Sequence, residues 1–344
     1  MILEHLSLQN FRSYSKSDFT FSPYTTVIVG PNTSGKTNLL EAIYLLSSGK
    51  SFRAERDVEM IRFQEELARV KGKTDDSELE VVLTTQLKKY LVNGVSKRRI
   101  DFTDNLMVVI FAPADLEIVV DSPSVRRNFL DESISQVDRE YRQALITYSK
   151  ALRQRNALLD LAREKGVRNE RQFTYWDQLL IQAGEVITKR REEFIAFLNS
   201  KEKDVFDFAA IYDKSVISKE RLLQYKDAEM GAGVTLVGPH RDDFSVFMFN
   251  NMRETTHDMK LFGSRGQQRL VVLQLKLLQL IFMEEATGQR PLLLLDDIFS
   301  ELDDAHIHLV SEIMDRQQTI LTTTHKEFID KKHLKEANVI ELEK

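Results

Sequence analysis

The segment GPNTSGKT at residues 30–37 constrains the fold more than any other part of this chain. It follows an apolar, β-branched run at residues 25–29 and precedes NLLEAIYLL, which has the character of a helix. The match to G-x-x-x-x-G-K-[ST] between a strand and a helix predicts a phosphate-binding loop, or P-loop. Such a loop turns backbone N–H groups toward phosphate oxygens, and the helix N-terminus adds partial positive charge. We therefore expect an α/β fold with this loop at its nucleotide site.

The P-loop predicts ATP and Mg²⁺ as the cofactors. Lys36 is predicted to contact the β and γ phosphates and to act in catalysis, and Thr37 to offer its hydroxyl to Mg²⁺. The predicted nucleotide-binding residues of the loop are Gly30, Pro31, Asn32, Thr33, Ser34, Gly35, Lys36 and Thr37.

Two later strands are predicted to complete this site. PLLLLDD at residues 291–297 is an apolar strand ending in two acids, so Asp296 is a candidate Mg²⁺ ligand beside Thr37. Asp297 is the candidate catalytic base that orients the attacking water. TILTTTH ends at His325, which is either a structural or solvent-facing histidine or a catalytic imidazole near the γ phosphate.

A second glycine-serine cradle, GSRG at residues 263–266, precedes a long helical pattern but has no lysine. The groups that it offers to an anion are backbone N–H groups and the Ser264 hydroxyl, and Gly266 has no side chain to cover the backbone. One economical arrangement is that Ser264 and Gly266 face the γ phosphate held by a second copy of the chain. This hypothesis predicts an ATP-dependent two-fold homodimer.

The periodicity of the chain predicts one α/β domain built from both chain ends, with a helical insert between them. We expect residues 1–120 and 231–344 to form this domain and residues 121–230 to form the insert. The first part is rich in strands, the middle has helical spacing, and the end alternates strand, helix and strand.

Composition and the first residues indicate the cellular compartment. The chain has no cysteine, which excludes disulfides and thiolate metal sites and favours a reducing compartment. No apolar run is long enough for a membrane span, and the first residues do not resemble a secretion signal. We expect a cytoplasmic protein that does not interact with membranes.

A basic stripe is predicted on the first helix of the insert. Residues 142–171 contain eight Lys or Arg and three Asp or Glu, whereas the whole chain has a net charge of −5. This pattern indicates either contact with DNA phosphates or an ordinary solvated helix face. Candidate DNA contacts are Arg142, Lys150, Arg153, Arg155 and Arg163 on the helix, with Lys97, Arg98 and Arg99 beside an Asn-Gly hairpin turn.

The combination of motifs resembles the ATP-binding-cassette (ABC) superfamily. GPNTSGKT is similar to its phosphate motif, GSRGQQ to its signature, LLLLDD to its metal strand, SELD at residues 300–303 to its dimer loop, and His325 to its switch histidine. The resemblance is closer to the RecF family over almost the full length. The segments that carry it are LSLQNFRSY, GPNTSGKTNLLEAIYLLSSGKSFR, VGPHRDDF, GSRGQQRL and LLLLDDIFSELD.

The resemblance implies an ABC-type (SMC/RecF-like) P-loop ATPase head with an inserted α-helical arm. It implies a weak, DNA-stimulated ATPase that dimerises on ATP and binds double-stranded DNA and junctions of single- and double-stranded DNA. The partner implied is RecR, with RecO and RecA in the same pathway, so that recombinase is loaded during gap repair, replication restart and the SOS response near the nucleoid. It also implies that Arg12 reaches the nucleotide and that Ser264 acts in trans.

One departure from the superfamily pattern concerns catalysis. Position 297 is Asp where most cassettes have Glu, and the shorter side chain predicts slow turnover.

The sequence leaves two alternative functions open. One is another ABC-type ATPase, either anti-phage or nuclease-linked, and the other is a P-loop kinase acting on a small molecule.

Overall fold

The computed structural model describes residues 2–249, 255–301, 304–324 and 337–343. The chain divides into two compact units. The first, which we call the split unit, is made of Met1–Asp115 and Lys276–Lys344, and the second, the inserted unit, is Leu116–Leu275. Both ends of the chain therefore build one unit.

The split unit contains an antiparallel sheet of six strands with the order β2-β1-β4-β5-β6-β7. Its strands are β1 (Leu3–Phe11), β2 (Tyr14–Thr20), β4 (Leu67–Thr74), β5 (Glu78–Thr84), β6 (Lys88–Val92) and β7 (Val95–Lys97). Along β4, Ala68, Val70, Gly72 and Thr74 are buried and the residues between them are exposed, so one face of the sheet packs on the core. Asn93 and Gly94 have positive φ and form the predicted hairpin turn.

The second sheet of the split unit is parallel and has the order β14-β3-β13-β12-β8. Its strands are β3 (Thr25–Val29), β8 (Val108–Phe111), β12 (Leu292–Asp296), β13 (Thr319–Thr323) and β14 (Asn338–Glu341). The split unit also contains the helices α1 (Lys36–Ser48), α2 (Arg99–Phe102) and α11 (Asp304–Met314). Strands β8, β12 and β13 are buried along their whole length. Helix α1 contacts strands of both sheets, and its apolar side chains join their cores.

Strand order decides where the nucleotide motifs meet. Strand β13 lies between β3 and β12, with Thr322 opposite Asp296 on one side and Thr323 opposite Val29 on the other. Because parallel strands end at the same edge, the P-loop after β3 and the acids at the end of β12 come together there.

The inserted unit is mostly helical. Its elements are α3 (Glu117–Val120), α4 (Pro123–Ser135), α5 (Arg139–Lys165), α6 (Glu170–Ser200), α7 (Lys219–Gln224), α8 (Lys226–Ala232), α9 (Met259–Phe262), β9 (Phe208–Asp213), β10 (Asp243–Phe249) and β11 (Thr255–Asp258). Helix α10 (Arg265–Thr287) begins in this unit, and the boundary between the units falls within it. Four residues join α5 to α6, and the two long helices pack together as a hairpin.

The observed division differs from the predicted boundaries at residues 120 and 230. Strand β9 belongs to the predicted insert, but it pairs along its length with β10, which was assigned to the C-terminal part of the head. The three strands β11-β10-β9 form one sheet, so residues 231–275 stay with the inserted unit. In the part of the chain that the structure describes, no helix is long and apolar enough to cross a membrane.

Candidate nucleotide-binding site

The shape of the P-loop depends on two glycines. Gly35 has φ 99° at the start of α1, and a Cβ atom there would lie 2.9 Å from Tyr14 Oη. A Cβ atom on Gly30 would lie 2.9 Å from the backbone carbonyl oxygen of Leu342. Both distances are shorter than real contacts of Cβ atoms, so any larger residue would distort the loop.

The Lys36 side chain folds back over the loop. It is 7% exposed, and its Nζ donates hydrogen bonds to the carbonyl oxygens of Gly30 at 2.7 Å and Pro31 at 3.0 Å. Burial lowers the pKa of Lys36, while the carboxylates of Asp297 and Asp296 oppose that shift. The ammonium group therefore has neutral partners that phosphate oxygens can replace.

Thr37 and Asp296 meet as predicted from the motifs. The Thr37 hydroxyl lies 2.9 Å from Asp296 Oδ2, and Thr322 Oγ1 donates to Asp296 Oδ1 at 2.7 Å. The hydroxyl and carboxylate are hard oxygen donors of the kind that Mg²⁺ prefers. Thr322 orients this carboxylate; it was not among the predicted site residues, although TILTTTH places a threonine in the adjacent strand.

Asp297 occupies a turn directly after β12. Its φ of 53° lies in the left-handed region, which Asp tolerates better than most residues. Its N–H lies 3.2 Å from both the carbonyl oxygen and the Oγ1 atom of Thr322. The backbone of Asp297 is thus tied to β13, and its carboxylate lies close enough to Lys36 to affect the pKa of that ammonium group.

The loop also contains a polar atom suited to a phosphate oxygen. The Ser34 hydroxyl is inaccessible to solvent and has no hydrogen-bond partner among the described residues. Leaving a buried hydroxyl unpaired costs free energy, which a phosphate oxygen would recover. Together with the donor set of Thr37 and Asp296, this hydroxyl fits a Mg²⁺-bound triphosphate.

Arg12 lies near the loop but has strong partners of its own. Its guanidinium donates to both carboxylate oxygens of Glu41, at 2.8 and 2.6 Å, and to the Glu59 carbonyl oxygen. Glu41 is fully buried on α1 and also binds Arg53 and Ser51. Glu41 was not among the predicted site residues, although a single acid within the apolar run NLLEAIYLL is typical of a buried ion pair.

The predicted signature forms the start of α10. Ser264 Oγ accepts from Gln267 N at 3.2 Å, while Ser264 N donates to Gln267 Oε1 at 2.9 Å, which is a capping box. Ser264 and Gly266 are exposed, and the atom nearest to a Cβ on Gly266 would be Ser264 Oγ at 4.0 Å. His325, the predicted switch histidine, lies outside the described residues, as do two residues of SELD.

Two of the predicted DNA contacts are wrong because their side chains are buried. Arg155 is 0% exposed and Arg142 is 8% exposed. Arg155 is enclosed by Asp177, Glu229 and Thr235, and Arg142 donates to the Ser135 carbonyl oxygen. Neither guanidinium can contact a phosphate without breaking the core of the inserted unit.

The other predicted DNA contacts are exposed. Lys150 and Arg153 lie on the open face of α5, and Lys97 lies at the end of β7. Three further arginines are exposed but have partners within the chain: Arg163 pairs with Asp160, Arg98 with Asp101, and Arg99 donates to the Ser48 carbonyl oxygen.

The P-loop and the Asp296 carboxylate at the end of β12 lie at one edge of a parallel sheet. Together with the helical insert that splits this unit, they are typical of an ABC-type ATPase head. The family model for the RecF/RecN/SMC N terminal domain matches residues 2–341. The chain is 39% identical to the DNA replication and repair protein RecF of Halalkalibacterium halodurans, covering 100% of this chain and 98% of that protein. It is 37% identical to RecF of Shouchella clausii, covering 98% and 96%.

Solved structures agree with these relatives. One is the structure of the recombination mediator protein RecF with ATP, from the RecFOR pathway, whose sequence is 32% identical to this chain. The two structures superpose with a TM-score of 0.87 over 96% of this chain and 93% of that one. An Smc head domain from Pyrococcus yayanosii shares the fold, with a TM-score of 0.52 at 16% identity over 99% and 94% of the two chains. This chain belongs to the RecF family of ATP-binding DNA replication and repair proteins.

Proposed function

We propose that two copies of this chain close on ATP to form a dimer that binds double-stranded DNA and its junctions with single strands. The observation that carries the proposal is the exposed cradle at Ser264 and Gly266, at the N-terminus of a 23-residue helix. A helix N-terminus with an open glycine and a serine hydroxyl suits an anion. The triphosphate bound by the partner's P-loop is that anion.

Each residue of the site has one role in this cycle. Lys36 holds the β and γ phosphates, and Ser34 supplies its hydroxyl to a phosphate oxygen. Thr37 and Asp296 hold Mg²⁺, which neutralises phosphate charge when it is bound. Asp297 orients and deprotonates the attacking water, and its short side chain makes turnover slow. Slow hydrolysis then separates the subunits and releases the DNA.

The DNA contacts proposed on the inserted unit are its exposed cations, above all Lys150 and Arg153. No base-reading motif accompanies them, so we expect contact with the phosphate backbone and tolerance of sequence. The names of the relatives support a role in DNA replication and repair. The solved RecF structure, described as part of the RecFOR pathway, supports a role in the same pathway as RecO and RecR. In this role, the DNA-bound dimer helps to load recombinase at gaps.

Sedimentation of the full chain tests the dimer. We expect a monomer with Mg·ADP and a dimer with a non-hydrolysable ATP analogue. Ser264→Asp keeps a good helix cap but places a negative charge against the partner's γ phosphate, so it should abolish the dimer. Ser264→Asn keeps the cap without the charge and is the matched control. A Ser264→Asp variant that dimerises as well as Ser264→Asn contradicts the proposal.

The salt dependence of binding to a short duplex tests the DNA contacts. Each phosphate contact that is lost should reduce the slope of log affinity against log salt by about 0.9. We expect the Lys150→Ser/Arg153→Ser variant to reduce this slope by about twice that amount. Lys189→Ser, at an exposed position on α6, should leave the slope unchanged. Equal slopes for all three proteins would rule out this face of α5.

A further inference from the structure

Two large apolar side chains lie directly before the signature. Leu261 is 71% exposed and Phe262 is 64% exposed, at the end of the short helix α9. Single exposed apolar residues are ordinary, but an adjacent Leu and Phe exposed to this extent are typical of an interaction surface. We call this pair the apolar pair.

The backbone that displays the apolar pair is held in place. Met259 is fully buried at the start of α9, and its carbonyl oxygen accepts from Gln268 Nε2 at 3.2 Å. A Cβ atom on Gly263 would lie 2.6 Å from the Met259 carbonyl oxygen, a backbone atom that cannot move aside easily, so this position favours glycine. The rings of Phe262 and His257 pack edge to face at 5.3 Å. The apolar pair is therefore fixed relative to the signature that follows it.

A complementary apolar side chain lies at the P-loop end of the split unit. Phe63 is 88% exposed, and it follows Ile61, which forms a β-bridge with Phe11. The turn after Phe11 carries Ser13, whose Oγ lies 3.0 Å from the position of a Cβ on Gly35. Phe63 thus lies on the segment that flanks the turn packed against the P-loop.

We propose that the apolar pair of one copy packs against the P-loop end of the split unit of a second copy, with Phe63 as its contact. This inference rests on the ATP-dependent dimer proposed above. If Ser264 faces the partner's triphosphate, residues fixed beside Ser264 meet residues that flank the partner's P-loop. Two-fold symmetry makes this contact twice. The apolar contact supplies affinity, while the nucleotide sets the orientation.

Sedimentation of a Leu261→Ser/Phe262→Ser variant of the full chain tests the contact. With the non-hydrolysable ATP analogue, we expect the dimer dissociation constant to rise at least about tenfold. The affinity of the monomer for a fluorescent nucleotide should change less than about twofold. An unchanged urea midpoint followed by circular dichroism shows that the variant is folded. Leu223→Ser, at a position in α7 that is 70% exposed, is the matched control and should dimerise normally.

The outcomes separate this inference from the dimer on which it rests. If the unaltered chain stays monomeric at saturating nucleotide, the dimer proposal fails and the apolar contact fails with it. If the unaltered chain dimerises and the double variant does so with equal affinity, only the apolar contact is overturned.

Cross-linking gives a second readout that does not depend on affinity. The chain has no cysteine, so introduced thiols report on single positions. A mixture of Leu261→Cys and Phe63→Cys chains, treated with a short bismaleimide, should give a covalent heterodimer only with the ATP analogue. A mixture of Leu223→Cys and Phe63→Cys chains should give none. Absence of the first product under conditions where the dimer forms would overturn the contact.

Discussion

The nucleotide site and the core of the inserted unit both bury positive charge, but they pair it differently. Lys36 has two backbone carbonyl oxygens as hydrogen-bond partners. Arg155, by contrast, has Asp177 at 2.6 Å, Glu229 at 2.7 Å and the Thr235 hydroxyl at 2.9 Å. Phosphate oxygens can replace neutral carbonyl oxygens around Lys36, whereas a ligand that took Arg155 from its partners would leave the fully buried Glu229 carboxylate unpaired.

The VGPHRDDF segment follows the second pattern. Asp242 is fully buried and accepts from Arg191 at 2.9 Å, while the Asp243 carboxylate binds Arg126 through two hydrogen bonds of 2.6 and 2.9 Å. His240 contacts Tyr148 and the Thr235 carbonyl oxygen. The two acids of this segment thus bind arginines from α6 and α4 and hold the inserted unit together.

The difference distinguishes two roles of a buried cation, ligand binding and stabilisation of the fold. A cation held by exchangeable neutral groups can bind an incoming anion, and its removal should affect ligand binding more than folding. A cation held by dedicated buried carboxylates is needed for folding because its removal leaves uncompensated charge.

The largest effect is expected for Arg155→Met. Glu229 is fully buried and would lose its cationic partner, so the free energy of unfolding should fall by about 3–5 kcal/mol. Arg153→Met, at an exposed position two residues away, should change it by less than about 0.5 kcal/mol. Urea unfolding followed by circular dichroism measures both, and similar midpoints for the two variants would contradict the assignment.

A double variant sharpens the same test. Arg155→Met/Glu229→Leu removes both buried charges of the pair, so it should be more stable than Arg155→Met alone. If the double variant is no more stable than the single one, unpaired charge is not the reason for the loss.

The sequence predicts which residues lie together at this edge of the sheet because each of them belongs to a local motif. Gly35 and Lys36 lie in a loop whose flanking strand and helix are readable from composition, and Asp296 ends an apolar strand. Their meeting in space needs only the rule that parallel strands end at one edge of a sheet. The Thr37–Asp296 contact across 259 residues follows from that rule.

Burial of charge in the inserted unit was harder to predict. Arg155 lies on the buried stripe of α5 with Tyr148, Ala151, Leu159 and Ala162, so its helical position indicates burial. The net charge of residues 142–171 carries no information about which face of the helix each charge occupies. The carboxylates that make its burial tolerable come from distant segments, and local periodicity does not show which acids will meet which arginines.

The next effect concerns the acid of the nucleotide site that we assign to catalysis. Asp297→Asn keeps the side-chain shape and tolerates the positive φ of 53°, so we expect normal folding and ATP binding. Loss of the base should reduce steady-state ATP turnover by about 100-fold. Asp297→Glu restores a carboxylate with a longer reach and should exceed Asp297→Asn. Unchanged phosphate release in Asp297→Asn would remove the residue from the mechanism.

A smaller effect is expected for Lys36→Met, which is the counterpart of Arg155→Met. Loss of charge-assisted hydrogen bonds of about 1.5–3 kcal/mol should weaken ATP binding by roughly ten- to a hundredfold. Because the hydrogen bonds of the ammonium group go to neutral carbonyl oxygens, and Asp296 keeps its Thr37 and Thr322 partners, stability should change by less than about 1 kcal/mol. Titration with a fluorescent ATP analogue and urea unfolding measure the two quantities. A loss of stability as large as that of Arg155→Met would erase the contrast between the regions.

The smallest effect is a pH dependence that arises in the inserted unit. Burial lowers the pKa of His240 from 6.5 to about 4, with its Nδ1 at 2.7 Å from Tyr148 Oη. Between these values the unfolded chain binds a proton that the folded chain does not, so stability falls as the pH drops from 6.5 to 4. His240→Gln should show a shallower decline of the urea midpoint over this range, and His308→Gln, on the surface of α11, is the control for removing an imidazole. Equal declines in His240→Gln and the unaltered chain would mean that this imidazole does not couple folding to protons.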